Sequence, residues 1–175
     1  MESKSIFPQA VKTGLIAIGA SIVLTLLAYV AGMNMFGFIF PIISYALLLG
    51  IMIWGVMSYR KANGGFMSFG QGFGVVIVAG LICSFISYFF NLAYVNYISP
   101  DYVTQAMEAS SAMAQKLGGT INDEMEQTMM QGIEDSMRFS LGKMALGLVG
   151  ALIVWSILGA IISGVLSRKN PQEEI

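Results

Sequence analysis

The residues able to do chemistry are few, and they gather outside the apolar part of the chain. There is no histidine, and Cys83 is the only cysteine. A disulfide within the chain is therefore impossible, and a zinc site built on imidazole or thiolate lacks donors. Cys83 falls inside an apolar run, where a thiol acts as a small hydrophobe. Carboxylates and thioethers remain. Asp101, Glu108, Asp123, Glu124, Glu126, Glu134 and Asp135 all lie between residues 98 and 141. A pair such as Glu124 with Glu134 or Asp135 would be the raw material of acid–base catalysis, one carboxyl protonated and its neighbour ionised. Charge runs are more commonly solvated helix faces, so no catalytic residue is assigned and a protein that is not an enzyme is expected. The methionines from Met107 to Met144 could offer soft thioethers to Cu(I). Spacing of four residues sets sulfurs along a line and not around a point. No metal or other cofactor is expected.

That same spacing carries a different message. Ile121, Met125, Met129, Ile133 and Met137 form one apolar stripe on a helix, with the acids off it. The stripe must be covered, either by self-packing or the membrane surface or by another protein, since Met-rich faces adapt to varied partners. Ser99-Pro100-Asp101 reads as a helix start, with a Ser N-cap, Pro at the first helical position and an acid in the first turn. Gly118-Gly119 breaks that helix. Thr120 offers a second N-cap, with Asp123 in the capping-box position.

The elements that must position these residues are set by charge-free runs. Hydrophobic residues make up 56% of the chain and charged residues 11%, against about 25% charged in an ordinary soluble protein. No charge occurs from Thr13 to Tyr59, from Ala62 to Pro100 or from Met144 to Ser167. A crossing needs about 20 apolar residues, so the first run is long enough for two. Gly32 to Gly37 breaks it, and Pro41 suits the first turn of the next helix. Asn63-Gly64-Gly65 marks a tight turn before the next span. The spacing predicts spans over 12–31, 37–58, 70–97 and 142–166, with a helical segment over 98–141 between the third and fourth. The expected fold is an all-α membrane protein, a single integral membrane domain over 1–175. The first span is expected to be retained, because it exceeds the roughly 7–15 residues of a signal-peptide core.

Lys4 and Lys12 precede the first span, Arg60 and Lys61 follow the second, and Arg168 and Lys169 follow the fourth. The positive-inside rule makes their side cytoplasmic. Both termini are then expected inside and segment 98–141 outside, with tyrosines and phenylalanines forming belts at the two interfaces.

Coupled transport and chemistry within a bilayer leave charged groups inside the spans; the charge-free runs of this chain hold none. The spans carry hydroxyls and an amide instead. Ala17, Ser21, Thr25 and Tyr29 share one face of the first span, and Ser84, Ser87, Tyr88, Asn91 and Tyr94 gather largely on one face of the third. These faces either hold the bundle together by hydrogen bonds or form a polar cleft for a lipid headgroup. Gly80 with Ser84, and Gly147 with Ala151, allow close approach of helix backbones.

The hairpin between the second and third spans places Tyr59, Arg60, Gly64 and Gly65 beside Phe66, Ser68 and Phe69. Gly64-Gly65 permits positive φ in a short reversal. A basic Tyr59-Arg60 ending the second span, the Gly-rich turn, Ser68-Phe69-Gly70 opening the third, and an aromatic exit to Ser99-Pro100-Asp101-Tyr102 resemble domain-of-unknown-function family 4199. The resemblance covers nearly the whole chain, and it implies a small integral membrane protein of the bacterial inner membrane. It carries no established activity. It suggests an accessory role beside a polyprenyl-phosphate glycosyltransferase of the membrane.

The expected function is that of a non-catalytic accessory or scaffold subunit, binding a membrane partner through its acidic, Met-rich external helices. The alternative is a small oligomeric transporter or lipid-handling protein acting through the polar faces of the first and third spans. Membrane lipid is an expected contact in either case. Nucleic acid is not, because the only basic clusters flank the spans.

Overall fold

The structure, a computed structural model, describes residues 5–99, 101–116 and 123–168. The described helices are α1 (Phe7–Val30), α2 (Ile39–Ala62), α3 (Phe69–Ala93, continued by a π-helical turn over Tyr94–Ile98), α4 (Tyr102–Lys116), α5 (Asp123–Ser136) and α6 (Leu141–Leu166). Four of these, α1, α2, α3 with its π turn, and α6, are long and apolar enough to cross a membrane. The chain is an all-α, multi-pass membrane protein.

Local chemistry moves the helix ends from their expected places. Helix α1 starts at Phe7, five residues early, because Pro8 sits in its first turn with φ already set for a helix. Lys12 is thereby inside α1, and its ammonium stands 5.9 Å over the ring of Trp54. Helix α2 runs past residue 58 to Ala62, taking Arg60 and Lys61 into its last turn. Cations there meet the negative end of the helix dipole. Between α1 and α2, Gly32 takes φ 65°, and the Asn34 side chain accepts from the backbone N–H groups of Phe36 (2.9 Å) and Gly37 (3.0 Å). Helix α3 opens on a capping box that joins Ser68 and Gln71. Ser140 caps α6.

Helix α3 is the centre of the bundle. It packs along α1 on one side and α6 on the other, while α2 leans mainly on α1 and touches α3 and α6 less. Ala17, Met52, Val56, Val75, Val76 and Ala79 lie in the buried core. Close approach at glycine makes this packing dense. Gly14 faces the backbone of Ala79, Gly55 faces Thr13, and Gly80 lies beneath the indole of Trp155. Apolar side chains such as Ile42, Leu146, Ile157 and Val165 point outward, as helices in contact with lipid require.

The two ends of the bundle differ. At one, the hairpin turns at Gly64 and Gly65 with φ 76° and 90°. Met67 pairs there with Arg168 through two backbone hydrogen bonds of 3.0 and 2.9 Å, and the Arg60 guanidinium donates to the Leu166 carbonyl at 3.2 Å. At the other end, α4 and α5 pack on each other. These are called below the hairpin end and the capped end.

Candidate functional site

The polar faces of α1 and α3 turn toward one another in the half of the bundle nearer the capped end. A cavity of about 280 Å³ is lined by Ser21 and Thr25 of α1 and by Ser87 and Asn91 of α3, with Phe36, Phe40 and Tyr102 among its walls. A second cavity, about 400 Å³, lies between α3 and α6. Ser84, Ser87 and Asn91 line it together with Leu48, Gly147 and Trp155. Ser87 and Asn91 thus border both spaces. The buried residues of α2, Met52, Gly55, Val56 and Tyr59, all lie in its second half, and its looser first half leaves room for both cavities.

The hydrogen bonds sort these side chains by what they can still do. The Ser21 hydroxyl donates to the Ala17 carbonyl at 2.8 Å, and that of Thr25 donates to the Ser21 carbonyl at 2.9 Å. Both protons are engaged within α1, and only oxygen lone pairs face the cleft. Ser84 accepts from the Trp155 indole N–H at 3.0 Å, which ties α3 to α6. The Tyr88 hydroxyl donates to the Ser140 carbonyl and accepts from the Ser140 N–H, each at 3.1 Å. Asn91 differs: it is exposed, and among the described residues its side-chain amide has no hydrogen-bond partner.

Aromatic rings close the cleft toward the capped end. Tyr102, at the start of α4, stands 5.3 Å from the Phe36 ring and 6.5 Å from that of Tyr94. Tyr29 meets Tyr94 edge to face at 6.0 Å. Burial pushes the Tyr102 phenol above its ordinary pKa, since the ionised form loses hydration there. Further along α4, the Lys116 ammonium lies 5.7 Å over the ring of Phe38. Helix α4 therefore runs from the cleft mouth toward the start of α2.

The α4–α5 pair is fixed to the bundle at the far end of α5. The Lys143 ammonium donates to the Asp135 carbonyl at 2.7 Å and reaches the Asp135 carboxylate at 4.0 Å. The ion pair is exposed and contributes little by itself; the bond to the carbonyl fixes the position. The Asn96 amide donates to the Met137 carbonyl at 3.0 Å. Of the methionine stripe, Ile121 lies outside the described residues. Met129, Ile133 and Met137 are half-buried, while α4 buries Ala106 and Met107. Met125 is 52% exposed and Met130 41%. Glu124, Glu134 and Asp135 are exposed.

Several participants carry no sequence signal of their own. Phe36 reads as an interfacial aromatic, yet with Phe40 and Tyr102 it walls the cleft. Asn96 and Lys143 carry no motif, yet they anchor α5. Tyr59, Arg60, Gly64 and Gly65 lie together at the hairpin end, away from the cleft.

The sequence profile of a family described as "Protein of unknown function (DUF4199)" matches residues 12–168. No curated protein and no solved structure matches the chain.

Proposed function

We propose that this chain, which belongs to the DUF4199 family, is a non-catalytic accessory or scaffold subunit that docks a membrane partner on α4 and α5. One observation carries the reading: α5 is tied to the bundle by Lys143 and Asn96 while Glu124, Glu134, Asp135 and two of its methionines are exposed. A surface held in place before binding loses less conformational freedom on association. Exposed methionine beside one sign of charge suits a partner with a basic rim and an apolar centre. The basic residues flanking the spans support a hairpin end in the cytoplasm and α4 with α5 in the periplasm of a bacterial inner membrane. A polyprenyl-phosphate glycosyltransferase of the same membrane is the partner that the family resemblance suggests. Affinity purification from native membranes in mild detergent, followed by mass spectrometry, tests this. A stoichiometric partner is expected with the intact chain, and none after deletion of residues 103–138 from a chain that still inserts. Binding that survives the deletion removes α4 and α5 from the docking role.

A second reading, a lipid-handling protein or small oligomeric transporter, is favoured by the convergence of Ser21, Thr25, Ser87 and Asn91 on one cavity. Reconstituted vesicles test it. An Asn91→Leu variant that loses stability but keeps wild-type lipid movement would reduce those residues to helix packing.

A further inference from the structure

Resting on that second reading, we infer that the cleft around Asn91 is a lipid site that grips the ester carbonyls of a diacylglycerol moiety. The primary amide of Asn91 has two N–H donors and one acceptor, and the described residues meet none of them. A polar group left unmet at membrane depth is strongly unfavourable. Its neighbours do not meet it within the fold: the hydroxyls of Ser21 and Thr25 donate to their own helix, Ser84 accepts from Trp155, and no hydrogen bond joins any of them to Asn91 among the described residues. The Asn91 amide thus leaves two donors open to the cleft, and their complement is an acceptor.

That acceptor is uncharged. Among the described residues no Lys or Arg lines either cavity, and an anion drawn to this depth would stand unpaired. Depth narrows the chemistry further. Asn91 precedes Ile98, the end of the span Phe69–Ile98, by two turns of helix, or about 10 Å at roughly 1.5 Å per residue. That span is 30 residues long, about 45 Å against a hydrocarbon core of about 30 Å. Asn91 then lies only a few Å below the hydrocarbon boundary, where the ester carbonyls of a glycerolipid hang. Cavities of about 280 and 400 Å³ meet at Ser87 and Asn91. The apolar walls, Ile18, Ile22 and Phe40 in one and Leu48, Leu148 and Ala151 in the other, take the upper part of one acyl chain each. The same moiety occurs in a glycerophospholipid and in free diacylglycerol, and the two differ only above the cleft.

The test compares ester with ether lipids on the full chain. Purified protein is stripped of lipid by detergent exchange. It is then loaded from an equimolar mixture of dioleoyl-phosphatidylglycerol and its dialkyl-ether analogue, and the retained lipid is counted by native mass spectrometry. A parallel arm uses dioleoylglycerol and its ether analogue. The wild type should retain the ester over the ether by about five-fold, roughly the worth of one hydrogen bond in a bilayer. Asn91→Leu should abolish the preference, while Asn91→Gln, which keeps the amide, should restore part of it. Preference in the first arm alone identifies a phospholipid, and preference in the second alone identifies diacylglycerol. Lipid retained with no ester preference overturns the carbonyl contact but leaves lipid handling standing; no retained lipid in any arm removes both.

Discussion

Replacing Gly80 by alanine probes the contact that holds α6 on the central helix. The α3 backbone at Gly80 lies directly beneath the indole of Trp155, and an added Cβ would overlap the ring carbons. The ring cannot simply swing aside. It is 8% exposed, and its N–H donates to Ser84, one turn along α3, at 3.0 Å. Forcing an extra methyl into a filled interior costs about 1–3 kcal/mol. Breaking the Trp155–Ser84 bond adds about 0.6 kcal/mol on average for such bonds in a bilayer, and up to about 1.7. The expected loss is about 2–4 kcal/mol. Unfolding by sodium dodecyl sulfate in mixed micelles measures it, read by tryptophan emission in a Trp54→Phe background so that Trp155 reports alone. Gly80→Ala should lower the midpoint and shift the Trp155 emission to the red. Adding Trp155→Leu, with Trp54 kept as the reporter, removes the obstruction and should recover part of the loss, a coupling between contacting residues. Gly164, also on α6, has nothing within 4 Å of an added Cβ, so Gly164→Ala should stay within about 0.5 kcal/mol of wild type. A Gly80→Ala protein with full stability and unchanged emission would refute the reasoning, because α3 and α6 would then stand farther apart than described.

Gly14→Ala should be at least as damaging, since its Cβ would stand 2.7 Å from the Ala79 carbonyl oxygen; backbone cannot rotate away, so α1 must leave α3, and the same unfolding titration measures the loss. Burial holds the Tyr102 phenol above its usual pKa of 10.0, so the folded state keeps its proton where the unfolded chain has lost it. The contribution of Tyr102 to seating α4 is complete below pH 10 and disappears as pH rises through the raised value. Hydrogen exchange of α4 should therefore accelerate above pH 10 in the wild type and less so in Tyr102→Phe. A reporter active only in the periplasm, fused after Ile175, should stay silent, and activity would overturn the orientation drawn from the flanking charges.

The spans were legible because lipid imposes a single rule along the chain. A run without charge is long enough to cross or it is not, and no tertiary context alters that count. Helix ends follow local chemistry, which is also written in the sequence. Pro8 starts α1 early, and Arg60-Lys61 extends α2 because helix carbonyls attract cations. The cleft was half legible. Spacing of four residues put Ser21 with Thr25 and Ser87 with Asn91, but only the packing of α1 on α3 could turn the two faces into one cavity. Nothing in the order of residues states that the first half of α2 packs loosely, which leaves the cavity its room. The methionine stripe shows the same division. Its period is visible in the sequence, but its cover depends on α4, whose own apolar residues have no comparable rhythm.

Charge is the sharper guide to what this fold can do. Each cation with a described contact holds a helix end or its flank: Lys12 over Trp54, Arg60 on the Leu166 carbonyl, Lys116 over Phe38, and Lys143 on the Asp135 carbonyl. None enters either cavity. Proton coupling and acid–base chemistry at bilayer depth need groups that gain or lose charge there. The cleft of this protein offers hydroxyls, two of them turned to their own helix, and one amide with no partner among the described residues. Such groups can orient a neutral acceptor, but they cannot titrate against it. On the proposed readings, an uncharged cleft beneath a cap of exposed carboxylates divides the work by depth: recognition within the bilayer would rest on shape and one hydrogen-bonding amide, and recognition above it on charge.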